Sequence, residues 1–122
     1  MKRVEIKLIG GAAEEWKRLN KVVAEERDKG IQNSENQQLF KSIKQKMELI
    51  KANPQYGESV PRRLIPKKFA VDNLWVADLT GFWRMLYTLK GSQIEIICFI
   101  LEILKHKKYD WLFGYKKKGF TY

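Results

Sequence analysis

The sequence predicts an α+β fold in the order βααβββ, with two N-terminal helices packed on a mainly antiparallel four-stranded sheet. Three observations carry that expectation. "RVEIKLI" at 3–9 alternates apolar and charged side chains, two successive stretches between 12 and 52 repeat apolar residues at helical spacing, and three aromatic or β-branched runs beyond 72 are separated by short turns. A chain of 122 residues fits one domain with a modest core, taken as 1–122 with 116–122 as a basic C-terminal tail.

Val4, Ile6 and Leu8 alternate with Arg3, Glu5 and Lys7, as in a strand with one buried face, and Gly10 and Gly11 end it. From Ala12 to about Lys29, Trp16, Leu19 and Val23 recur at spacings of three and four, Val22 widens the stripe, and Gly30 supplies a stop. Ser34, with Gln37 three residues on, predicts the cap of a second helix. That helix carries Leu39, Ile43, Met47 and Ile50 on one face and ends at Asn53 and Pro54. Each helix has one apolar stripe, so both need a shared apolar surface, which a sheet provides.

"NPQYGESVPRRLIPKKF" at 53–69 holds all three prolines and four cations, which suits a connection or an edge segment. "NLWVADL" (73–79), "FWRMLYTL" (82–89) and "QIEIICFILEIL" (93–104) then predict an antiparallel meander, with turns at Thr80–Gly81 and Lys90–Ser92. The last run is nearly all apolar and reads as an interior strand covered on both faces.

Hydrophobic residues at 44% and aromatics at 12% exclude a disordered chain, and no apolar run reaches the roughly 18 residues of a membrane helix. "MKRVEIKLIGG" lacks the apolar stretch of a signal peptide and reads as the first strand. The single cysteine, Cys98, allows no intramolecular disulfide and points to a cytoplasmic protein, with Cys98 a small core residue. Net charge is +10, unevenly shared: residues 1–61 hold 12 basic and 9 acidic residues, residues 62–122 hold 12 and 5. An anion-facing surface is therefore expected mostly in the second half.

There is no Walker loop, no GxGxxG, no cysteine pair and no second histidine, so neither a nucleotide nor a metal cofactor is supported. Ser42, Ser59 and Ser92 sit in no nucleophile elbow. What remains is Arg, Lys, His and Tyr, the set that binds and polarises phosphates.

"LWVADLTGFWRMLYTL", with its arginine followed three residues later by tyrosine, and the closing "ILKHKKYDWLFGY" resemble the RelE/ParE superfamily of toxins from toxin-antitoxin modules, the RelE and YoeB branch most of all. The resemblance runs from Val4 to Tyr115 and rests chiefly on 60–115. It implies a RelE-like fold and a metal-independent endoribonuclease that cuts messenger RNA in the ribosomal A site. It also implies an acidic antitoxin protein as partner, with no cofactor, metal or membrane involved.

Cleaving RNA in this way needs a base for the 2′-hydroxyl, a cation for charge developing on phosphorus, and an acid for the leaving 5′-oxygen. Arg84 suits the cationic role, because its fork matches phosphate oxygens and stays charged; the alternative is a cross-strand pair with Asp78 or Glu95. His106 falls just beyond the last strand, where an imidazole can act as base or acid, and Tyr109 could join it if the segment turns helically. By the resemblance, Arg84, His106 and Tyr109 are the catalytic candidates. Arg62, Arg63, Lys67, Lys68, Lys105, Lys107 and Lys108 are the RNA-gripping ones, their affinity arising from counterion release. Trp75, Trp83 and Tyr87 could stack on bases but read first as core residues.

Asp78 departs from the basic residues that many relatives carry before the glycine turn; facing the site, it would weaken phosphate binding or act as a base itself. The resemblance leaves a second function open, a ParE-like toxin that poisons a topoisomerase without cutting anything, and the charge allows a third, a non-catalytic basic nucleic-acid-binding protein.

Overall fold

A computed structural model describes residues 2–92 and 94–114. The chain runs β1 (Arg3–Leu8), α1 (Gly10–Asp28), α2 (Glu35–Ala52), β2 (Glu58–Ser59), β3 (Trp75–Asp78), β4 (Trp83–Gly91), β5 (Glu95–Lys105) and α3 (His106–Leu112). The α+β class and the βααβββ framework hold. The expected four-stranded, mainly antiparallel sheet is corrected to a five-stranded mixed sheet in the order β1-β5-β4-β3-β2, and a third helix is added.

Each difference has a physical reason. Two hairpin reversals leave β5 running as β3 does, and β1 pairs with it in parallel, Val4 beside Ile96 and Leu8 beside Ile100. Strand β2 is two residues of the proline-rich segment, opposite Trp75 and Val76 on the sheet edge, too short to show any period. The segment after β5 forms a third helix, α3, of seven residues that carries Tyr109, Trp111 and Leu112. The basic tail at 116–122 lies outside the described residues, as does Tyr115.

Local chemistry explains the boundaries. Gln37 N–H donates to Ser34 Oγ at 3.1 Å, closing the cap predicted for α2. Ser34 Oγ and Asn36 in turn donate to Glu26 near the end of α1, and these hydrogen bonds hold the Glu26 carboxyl below its ordinary pKa. The interhelical connection is thus tied at both ends.

The sheet separates two cores. On the helix face, Leu19, Val23, Leu39, Ile43 and Ile50 meet Ala77, Met85, Tyr87, Cys98 and Ile100. On the other, Leu74, Val76, Leu86 and Leu104 are covered by Val60, Ile65, Phe69 and α3. Strand β5 pairs on both sides and contributes to both cores, the interior position its sequence predicted. A bulge where Leu86 faces Glu102 and Tyr87 faces Ile100 leaves Leu101 extra, shortly before β5 delivers α3.

Tyr87 is fully buried, the core role its strand position favoured over base stacking. Its hydroxyl donates to the Pro54 carbonyl and accepts from the Gly57 amide, both at 2.9 Å, pinning the proline-rich segment to the sheet. Only glycine fits at 57, because a Cβ there would lie 2.5 Å from the Val76 carbonyl oxygen. Trp75 is half-buried against Tyr87, ring centroids 6.3 Å apart. Burial pushes the Tyr87 hydroxyl and the Cys98 thiol each up to about 12. Among the described residues no helix is long and apolar enough to cross a membrane.

Candidate functional site

Strand β3 ends at Asp78, and the chain re-enters the sheet at Trp83 through a turn in which Gly81 and Phe82 both have φ of 64°. The register sets Asp78 directly opposite Arg84, and Arg84 Nε lies 3.4 Å from Asp78 Oδ1. Of the two cross-strand partners expected for Arg84, Asp78 is the one present, while Glu95 binds Arg3 at the far end of the sheet. The Arg84–Asp78 pair is loose and wet, with the aspartate side chain 81% and the arginine 34% exposed. Such pairs contribute little to stability.

Beneath Arg84 lies Tyr109, the guanidinium carbon 4.4 Å from the ring centroid. Tyr109 is buried, packs on Phe113 at 4.5 Å and belongs to the second core. The expected helical turn does form, but it carries Tyr109 down onto the sheet and leaves His106 at the rim. Tyr109 does not line the cleft; a ring on one side of the guanidinium limits where its fork can point.

His106 opens α3 immediately after β5 and faces Phe82, centroids 5.5 Å apart. Asp110, one turn along α3, falls on the same helix face. Arg84, His106, Asp78 and Asp110, with Phe82 and Trp83, line one open cleft of about 470 Å³. A single guanidinium shares the cleft with two carboxylates. Further positive charge comes from next door: Lys105, Lys107 and Lys108 line a second groove of about 600 Å³ across Trp83, facing Glu14, Glu15 and Glu102. Lys105 Nζ stands 5.9 Å from the Trp83 ring centroid.

The remaining expected cations are exposed on the loop covering the second core. Arg62 and Arg63 start one 3-10 turn and Lys67 and Lys68 another. Arg62 pairs with Asp72 at 3.4 Å, and Lys68 with Glu102 at 3.5 Å, which brings Lys68 to the edge of the lysine groove. Phe82 and Asp110 are site residues the sequence did not single out. Asp110 had a legible signal, four residues after His106; Phe82 had none, because it reads as the first residue of an aromatic strand.

Among the described residues, no group of three or more His, Cys, Asp or Glu is placed to hold a metal ion. No family model, curated protein or solved structure matches the chain.

Proposed function

We propose that the protein is a RelE-like toxin, an endoribonuclease that cuts messenger RNA in the ribosomal A site and is restrained in the cytoplasm by an acidic antitoxin. The observation that carries this reading is the meeting of Arg84 and His106 in one open cleft beside a bank of exposed lysines. With a phosphodiester in the cleft, Arg84 stabilises negative charge developing on the phosphoryl oxygens. The 2′-hydroxyl gives up its proton and bonds to phosphorus, the bond from phosphorus to the 5′-oxygen breaks, and that oxygen takes up a proton. A 2′,3′-cyclic phosphate and a 5′-hydroxyl result. His106 suits either proton transfer, with Asp78 or Asp110 available for the other. Because Asp78 is mostly exposed, an incoming phosphate can displace it from Arg84 without uncovering buried charge.

The pairing of Asp78 with Arg84 also supports a second reading, a basic nucleic-acid-binding protein in which that arginine is a cross-strand tie. Inducing the protein alone and mapping transcript ends separates the two. The nuclease reading requires growth arrest, new 5′ ends within coding regions, and a loss of cleavage of about 10²–10³-fold in Arg84→Ala. Intact transcripts under wild-type induction would reject it. Co-expression of a small acidic protein encoded beside it is expected to restore growth.

A further inference from the structure

Phe82 is out of place by two independent criteria. It adopts a left-handed backbone, φ 64°, directly after Gly81 in the same conformation, where bulky side chains are rarely found. Its side chain does not repay this with burial, since Phe82 is 77% exposed. Glycine would remove both costs. The ring meets His106 on one side and is otherwise largely open to solvent, where a ligand can reach it.

Its surroundings indicate what. The ring stands at the lip of the cleft, beside His106 and on the same wall as Arg84, and the next residue, Trp83, divides that cleft from the lysine groove. A flat apolar face within reach of a phosphate-binding guanidinium and several cations matches a nucleotide: phosphate on the charges, base on the ring. In a duplex the bases are already stacked on both faces, so only an unpaired base can use it. We propose that Phe82 is the stacking platform for an unpaired base of single-stranded RNA flanking the phosphate held at Arg84. This deepens, and rests on, the RNA-directed reading of the cleft.

The test measures binding of a short mixed-sequence single-stranded RNA and of a blunt-ended RNA duplex to the full chain across a salt series, with thermal melting of each variant. Phe82→Ala is expected to weaken single-strand binding about 5- to 150-fold, leave the salt slope unchanged because the cations all remain, and spare the duplex. Phe82→Trp should retain wild-type affinity. Phe82→Gly should bind as weakly as Phe82→Ala while melting higher than wild type, because the left-handed strain is relieved. If Phe82→Gly melts lower, the ring is a structural part of the turn and the proposal falls. If wild type binds single-stranded RNA and Phe82→Ala binds it equally well, the stacking role is overturned and the nuclease reading survives; if wild type neither binds nor cuts RNA, both fail.

Discussion

The two faces of the sheet are built to different standards. The helix face is sealed by aliphatic side chains from α1 and α2, and its one deeply placed hydroxyl, on Tyr87, is satisfied twice. The opposite face is covered by a proline-rich loop and a helix of seven residues, and at its rim it leaves Arg84, His106, Asp78 and Asp110 open to solvent. The sealed core and the open polar rim are thereby separated. The helix face can hold the sheet still while the thinly covered face presents groups whose removal costs the fold little.

Substitutions can test that division. The largest expected effect is on the open face: His106→Ala should lower RNA cleavage by about 10²–10⁴-fold with little change in melting temperature, since the side chain is only partly buried. A matching loss of stability would erase the distinction between the faces. On the sealed face, Ile43→Ala should cost about 2–5 kcal/mol in denaturant unfolding, while cleavage per folded molecule stays at the wild-type level.

Tyr87→Phe should cost about 1–3 kcal/mol, because it leaves the buried partners of the hydroxyl unsatisfied. It should also change the alkaline limb of the stability curve. Burial raises Cys98 from 9.0 and Tyr87 from 10.0, each to about 12, so the folded chain keeps protons that the unfolded chain releases. Their contribution is fully present below pH 9 and is lost as pH rises from 9 towards 12. Tyr87→Phe removes the part that begins at pH 10, and unfolding followed between pH 8 and 11 would reveal it.

Smaller effects concern the charges around the cleft. Lys107→Ala with Lys108→Ala should shallow the salt dependence of single-strand RNA binding by roughly 1.4 in logarithmic slope, at about 0.7 for each phosphate no longer neutralised. Asp78→Asn, which removes a carboxylate from Arg84, should tighten that binding by a factor of about 2–5, within the energy of an exposed pair. If it slows cleavage while tightening binding, Asp78 is the base.

The helices and the meander were legible because each follows one period over many residues and ends on local chemistry, such as Ser34 or Asn53 with Pro54. Arg84 and His106 stood out as the lone charge in an apolar strand and the lone histidine of the chain. Glu58–Ser59 has no period to read, and the orientation of Tyr109 depends on how α3 settles on the second core. Phe82 reads as the first residue of a strand, whereas the structure gives it a left-handed backbone and an exposed ring.

By itself, the sequence determined the long periodic helices and strands and that the second half carries most of the positive charge, and it singled out Arg84 and His106. These follow from periodicity and composition, which are local. The tertiary structure alone decided that β1 lies parallel to β5, that Asp78 sits across from Arg84, that Tyr109 is buried behind the guanidinium, and that His106 shares its cleft. Register and packing join residues far apart in the chain, and no local pattern encodes which of them will meet.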